Sequence, residues 1–156
     1  MNDNDDQQGR HSPLYTPDSS LARAVRAAWR GALSPLFGEF AGEVQVECLD
    51  RSPPPQGTET DPVYGEATGA KRYLPPVTLK ARWGLERERL VLPGGEAIDT
   101  DGRVTLRTED LAAASVELDF ASLVTVEGRR LAVAHIERAA QVGEEHLLTK
   151  VWLREP

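Results

Sequence analysis

The sequence predicts a mainly β protein: a small antiparallel β-barrel with an N-terminal amphipathic helix and a short second helix. Apolar and polar residues alternate in several short runs, which is the spacing of strands with one buried face. The 11 prolines and 13 glycines among 156 residues favour a turn-rich fold over a helical bundle. Closure of the strands into a barrel is expected because it leaves no exposed strand edge.

The N-terminal part is predicted to contain an arm and a helix. Residues 1–17 are polar and acidic, so we expect a flexible acidic arm that orders only on a partner. A helix is predicted over residues 18–36, since Asp18, Ser19 and Ser20 are good N-caps. Its end is expected at Ser34-Pro35, because the residue before a proline avoids helical geometry.

This helix is expected to have two distinct faces. Apolar residues share one face: Leu21, Val25, Ala28 and Ala32. Arginines share the opposite face: Arg23, Arg26 and Arg30. The arginine face is expected to be solvated, with docking to an acidic surface as the alternative.

Residues 42–156 are predicted to form the barrel, with a long proline-rich loop over residues 52–62. Six or seven strands are expected, at residues 44–48, 77–83, 90–92, 104–106, 123–126, 131–136 and 147–153. Glu127-Gly128 is predicted to turn a hairpin, and Asp101-Gly102 is predicted to form a tight turn. Residues 108–114 have a Thr cap and acids in the first turn, which predicts the short second helix.

Residues that could carry chemistry occur in no recognisable arrangement. Cys48, the single cysteine, lies in an alternating run and is expected to be a buried small hydrophobe. The three histidines form no pair with metal-ligand spacing. Asp99 to Gly102 resembles the start of a calcium loop, but Asp110 stands where that loop needs a glutamate. We therefore predict no enzymatic activity, no metal and no cofactor.

The formal net charge of −7 argues against broad DNA binding, which needs basic residues to neutralise phosphates. Six basic and two acidic residues give residues 71–89 a net charge of +4, and the segments 39–66 and 96–127 are acidic. Two interpretations stay open: an ordinary mixed surface, or charge complementarity between neighbouring subunits. No apolar run has the length of a membrane span, and the acidic start differs from a signal peptide. A cytoplasmic site of synthesis without membrane contact is expected.

Several segments follow one another in a recognisable order. They are residues 61–66 (DPVYGE), Tyr73, residues 76–81 (PVTLKA), residues 103–106 (RVTL), Asp110-Leu111 and residues 123–133 (LVTVEGRRLAV). In this order and at this spacing, the chain resembles the neck proteins of long-tailed bacteriophages over roughly residues 44–154. These proteins are called head closure, stopper or head-tail connector proteins.

The resemblance implies a structural virion protein, made in the host bacterial cytoplasm and placed in the virion neck. Its barrels would form a homo-oligomeric ring, usually of six copies, between the portal or adaptor protein and a tail protein. The ring would close the DNA-filled head and hold double-stranded DNA without reading its sequence. A tail terminator or head-tail adaptor stays open as an alternative. A barrel that binds single-stranded nucleic acid through Tyr73 and Trp83 is an alternative of another class.

The candidate subunit interface contains six residues, and the resemblance carries over no catalytic residues. Tyr64, Gly65 and Glu66 match the motif of the family, although a turn that packs Tyr64 on the barrel would explain them equally. Three more candidates come from the basic stretch: Lys71, Arg72 and Arg82.

Overall fold

The computed structural model of the chain describes residues 20–53 and 71–156. Its elements are α1 (Ser20–Glu39), β1 (Gly42–Glu47), β2 (Val77–Gly84), β3 (Glu88–Val91), β4 (Ala97–Thr100), β5 (Gly102–Arg107), α2 (Thr108–Ala113), β6 (Leu123–Val126), β7 (Arg129–Val142) and β8 (Glu145–Arg154). The predicted fold class is confirmed. The expected arm over residues 1–17 and most of the proline-rich loop lie outside the described residues.

Six strands close into an antiparallel barrel in the order β1-β2-β5-β8-β7-β6. Alternate side chains point inward, as the sequence of β8 illustrates: Leu147, Thr149, Val151 and Leu153 are buried. Val151 and Leu153 form one apolar core together with inward residues such as Val44, Leu106 and Val124. The interior of the barrel is therefore filled by side chains, as is usual for a barrel with few strands.

The strand registers define two ends of the barrel. We call one end of the barrel the upper end. It contains the end of β1, the beginning of β2 and the β7–β8 turn at Gly143. Helix α2 follows β5 at this end, and its Leu111 belongs to the core. The opposite, lower end contains the beginning of β1 at Gly42, the end of β2 at Gly84 and the β6–β7 turn.

Helix α1 continues through Pro35 to Glu39, so the expectation that Ser34-Pro35 ends it is wrong. A proline inside a helix removes one hydrogen bond and crowds the preceding turn. Leu33 and Phe37, on either side of Pro35, are the two buried side chains of the described part of α1. Their burial against the barrel offsets the cost of the proline. A prediction from local sequence preference misses this burial, because it depends on residues elsewhere in the chain.

The Asp101-Gly102 turn is also a wrong prediction. β4 ends at Thr100, the chain bends at Asp101, and β5 starts at Gly102, so a single bent residue leads from one sheet into the other without a hairpin turn. A Cβ on residue 102 would lie 3.0 Å from the carbonyl oxygen of Gly84, so close backbone approach explains this glycine. The tight turn lies instead before β4, at Gly95 (φ +84°), where β3 and β4 form a separate two-stranded sheet.

The predicted hairpin at Glu127-Gly128 is confirmed. Both residues have positive φ, +50° and +79°, which is the geometry of the favoured two-residue hairpin turn. β7 is much longer than the expected residues 131–136, because it continues to Val142 along β8. A register shift between Val133 and His135 interrupts that ladder. Such a bulge bends the strand, which helps a long hairpin to close a barrel.

Candidate interaction surfaces

The structure describes three of the six candidate interface residues. Tyr64, Gly65 and Glu66 lie outside the described residues, so their role stays a prediction. Lys71 is exposed at the start of the second described segment. The Arg72 guanidinium lies 3.3 Å from the Asp50 carboxylate and donates a hydrogen bond to the Ser52 carbonyl.

Arg82 is exposed on the outside of β2 and lies far from Arg72. Tyr73 bridges Leu49 at the upper end of the barrel, whereas Arg82 lies near Gly84, the residue at which β2 ends at the lower end. The part of β2 between them, from Val77 to Arg82, alone spans about 17 Å at about 3.3 Å per residue. The candidates Arg72 and Arg82 therefore belong to two separate places on the barrel.

Acidic residues of the same chain lie beside the basic stretch. Lys80 stands opposite Glu43 in the register of β1 and β2. Arg87 donates a hydrogen bond to Asp101 at 3.1 Å, and Arg72 pairs with Asp50. These internal neighbours favour the interpretation of residues 71–89 as an ordinary mixed surface.

A stripe of apolar side chains is exposed along α1. We define the α1 stripe as Leu21, Val25, Trp29 and Leu36, which are 63%, 37%, 49% and 39% exposed. Their spacing of four and seven residues puts them on one side of the helix. Ala28 and Ala32 lie between them and are exposed as well. The apolar face of the amphipathic helix is thus open to solvent.

The arginine face of α1 is turned toward the barrel. Arg26 Nη1 lies 2.7 Å from Glu145 at the start of β8. Arg30 lies 3.5 Å from both Glu145 and Glu109. The expectation of a solvated arginine face is wrong for Arg26, whose side chain is 17% exposed, whereas Arg23 and Arg30 are exposed.

Two apolar contacts fix α1 against β5, β7 and β8. Leu33 packs with Val142 and Leu147 in a small cluster outside the main core. The ring of Phe37 lies under the guanidinium of Arg107, 5.7 Å from its centre. Arg107 is held in place because it pairs with Asp110 of α2 through two bonds of 2.8 and 2.9 Å. These contacts use another side of the helix than Leu21, Val25 and Trp29, whereas Leu36 lines a cavity between α1 and β2 together with Leu33 and Phe37.

An open cavity of about 680 Å³ lies at the upper end, on the other side of the barrel. We call it the upper groove. Its apolar walls are Leu49, Leu74, Pro75, Val77 and Val116. Among the described residues, Asp50, Glu117 and Asp119 also line it, together with Arg51 as the one basic residue. The upper groove is thus apolar in its walls and acidic in its charge.

The acidic residues of the upper groove are held by hydrogen bonds. Burial raises the pKa of Asp119, but donors from Ser122, Arg51 and the Ala121 N–H outweigh it and lower the pKa overall. Hydrogen bonds from Ser52 lower the pKa of Asp50, with a further contribution from Arg72. Both carboxylates are therefore charged at neutral pH.

Cys48 lines the same groove. It is half-buried, packs against the main core, and its thiol donates to the Glu117 carbonyl at 3.4 Å. This agrees in part with the expected buried small hydrophobe, although one side of the residue faces the groove.

At the lower end, Asp101 joins the β3–β4 sheet to the end of the chain. Its carboxylate accepts hydrogen bonds from the Glu155 N–H at 2.9 Å and from Arg87 at 3.1 Å. Its own N–H donates to the Leu153 carbonyl at 2.7 Å. The Glu155 N–H, and then Arg87, lower the pKa of Asp101 against the opposing effect of burial.

Comparison with known proteins adds no relative: the chain matches no family model and no curated protein. Within residues 20–53 and 71–156, no three His, Cys, Asp or Glu side chains are grouped so that they could hold a metal ion. Neither of the two helices described there has the length and apolar character needed to cross a bilayer.

The α1 stripe was visible in the sequence, but its exposure was not. Periodicity gives the apolar face of a helix, whereas the direction of that face depends on Leu33, Phe37 and the distant acids Glu109 and Glu145. The upper groove gave no sequence signal. Its walls come from three segments that are distant in sequence, around Leu49, Leu74 and Val116.

Proposed function

We propose that the chain is a structural virion protein that forms a homo-oligomeric ring in the neck of a long-tailed bacteriophage. The ring lies between the portal or adaptor protein and the tail, closes the DNA-filled head and gives the tail its platform. The protein works by binding other subunits rather than by catalysis.

The distribution of exposed apolar side chains carries this proposal. Eight large apolar side chains are exposed in the described residues, and five of them lie on α1 or at Phe40 directly after it. The barrel interior, in contrast, is filled by its own side chains. An apolar patch that is concentrated on one element is typical of a protein–protein contact surface. A filled barrel with such a helix outside is suited to assembly.

The segments that resemble neck proteins support the proposed location in the virion neck. Residues 76–81 lie in β2 and at its entrance, and residues 103–106 lie in the neighbouring β5. Residues 123–133 form the β6–β7 hairpin, and Tyr73 bridges Leu49 beside the upper groove. The resemblance therefore follows the barrel itself, which is the part that would build the wall of a ring.

The net charge of −7 also suits a ring around DNA. A negative protein surface repels the phosphate backbone, so double-stranded DNA can pass or be held without sequence-specific contacts. A tail terminator or head-tail adaptor of the same particle would share these features.

The structure weakens the support for a barrel that binds single-stranded nucleic acid. The Tyr73 ring is covered by Arg130, whose guanidinium lies 5.3 Å from the ring centre and also pairs with Glu47. Trp83 packs against Gly42 at the opposite end of the barrel. A binding groove needs accessible aromatic platforms beside one basic surface. These two aromatics are covered or packed, and they are far apart.

Inactivation of the gene in its phage tests the proposal. We expect filled heads and finished tails that do not join, and heads that lose DNA, with rescue by the intact gene. Tails of uncontrolled length would point to a tail terminator instead. Normal infectious particles would contradict the proposal, and a salt-dependent shift of labelled single-stranded oligonucleotide by the purified protein would favour the nucleic-acid alternative.

A further inference from the structure

We propose that helix α1 and the tip of the β7–β8 hairpin form one conformational switch, with Ala140 as its strained joint. We define the tip as residues 140–147. In one state α1 is docked on the barrel and the tip is kinked at Ala140, as in this structure. In the other state α1 is released and the tip is straight. The switch belongs to the single chain, so it is independent of the proposed ring.

Ala140 has a backbone conformation that a strand residue seldom adopts. Three non-glycine residues in the described ranges have positive φ: Ser115, Glu127 and Ala140. Ser115 lies just beyond α2, where a left-handed residue often ends a helix, and Glu127 lies in the β6–β7 turn. Ala140, with φ +54°, lies instead within β7. Its Cβ makes this left-handed conformation a strained one.

No inserted residue accounts for the kink at Ala140. The strand partners on either side of it keep one register, and they are the pairs Ala139–Leu148 and Gln141–His146. A β-bulge would shift the register by one residue, as happens earlier in β7. Strained backbone of this kind persists only where the surrounding structure holds it in place. The contacts of the tip are therefore the place to look for what holds residue 140.

An apolar cluster connects the kink to α1. Leu33 of α1 packs with Val142 and Leu147 of the tip. Ala140 itself packs against this cluster, which is separate from the main core of the barrel. The strained residue therefore touches the same side chains that attach the helix.

Ion pairs attach the other strand of the tip to the same helix. The Glu145 carboxylate lies 2.7 Å from Arg26 Nη1 and 3.5 Å from Arg30 Nη2. Both arginines belong to α1, so the helix contacts the tip through charged as well as apolar groups. We infer from these contacts that docking of α1 compensates the strain at Ala140.

Docking of α1 and the kink then stabilise each other. If α1 favours the kinked tip, the kinked tip favours docking of α1 by the same free energy. Without α1, residue 140 lies in a ladder of constant register and relaxes to the extended conformation of a strand. Release also uncovers Leu33, Val142 and Leu147, which are buried while α1 is docked. A partner that binds these side chains would favour the released state.

Ala140→Gly in the full chain tests the joint, because glycine adopts positive φ without strain. We expect the amide hydrogen exchange of α1 to slow by about five- to tenfold, since the docked state loses its strain. Ala139→Gly is the matched control: Ala139 lies in the same strand without positive φ, so this change should not slow the exchange of α1. Unchanged α1 exchange in Ala140→Gly, or equal slowing in α1 and β5, would overturn the inference.

Release of α1 tests the switch in the other direction. Leu33→Ala combined with Phe37→Ala removes the two buried contacts of the helix. The carbon chemical shifts and the HN–Hα coupling of Ala140 report its φ, and we expect values of an extended strand in this variant. Leu21→Ala combined with Val25→Ala, on the exposed stripe, should leave φ positive. A left-handed Ala140 in a chain whose α1 amides have lost protection would overturn the inference. If the variant without both buried contacts does not fold, the comparison of Ala140→Gly with Ala139→Gly decides.

Discussion

Phe37→Ala separates the stability of α1 from that of the barrel. Phe37 is 3% exposed and is one of the two apolar side chains that attach α1 to β5 and β8. The closed barrel keeps its own hydrogen bonds and core without α1. Truncating Phe37 is therefore expected to release the helix locally instead of unfolding the protein.

The expected magnitude follows from two contributions. Burial of a phenylalanine side chain stabilises by about 1.5–3 kcal/mol. The contact with the Arg107 guanidinium adds about 0.5–1 kcal/mol. A loss of about 3 kcal/mol lowers the free energy of opening α1 and speeds its slowest amide exchange about 100-fold, since about 1.4 kcal/mol corresponds to a factor of ten.

Amide hydrogen exchange followed residue by residue measures this effect. Amides of β5, β6 and β8 are expected to exchange as in the unmodified chain, because local openings leave the core closed. Leu36→Ala is the matched control: its side chain is 39% exposed, so α1 should exchange nearly as before. Equal acceleration in α1 and the barrel, or an equal effect of Leu36→Ala, would refute the view of α1 as a separately attached element.

Three further substitutions test the contacts that shape the fold. Gly42→Ala would put a Cβ 1.9 Å from the Trp83 ring, so we expect a loss of about 1–3 kcal/mol in chemical denaturation; Gly84→Ala, which has open space, is the control. Asp101→Asn should flatten the fall in melting temperature at acid pH. The folded pKa of Asp101 lies below its usual 3.8, so its contribution is present above that value and is lost as pH falls through the folded pKa. A variant with the same pH profile as the unmodified chain would contradict this. Arg107→Lys should cost about 1 kcal/mol in thermal unfolding, since lysine replaces neither the paired bonds to α2 nor the stacking on Phe37; an unchanged melting temperature would show that these contacts add nothing.

The sequence was most informative where local pattern and burial coincide. Alternation in residues 147–153 places Val151 and Leu153 inside the barrel correctly, because a strand has only two faces. The Glu127-Gly128 turn is likewise a local property of two residues. Barrel closure followed from the number of short strands and the need to pair their edges.

Features that depend on residues distant in the chain could not be predicted from local sequence patterns. The direction of α1 is set by Glu109 and Glu145, more than 70 positions away along the chain. The sequence predicts a turn at Gly102, whereas the glycine is needed because the carbonyl of Gly84 on the neighbouring strand approaches it closely. The basic residues 71–89 are close in sequence, but a strand separates Arg72 from Arg82. Proximity along an extended chain is therefore a poor guide to a shared surface.

Electron microscopy of particles that carry this chain tests the central claim most directly. Density for a ring of six-stranded barrels between the portal and the tail is the result that we predict. Density for this barrel in the capsid shell or along the tail tube, or particles without the chain, would contradict the assignment to the neck.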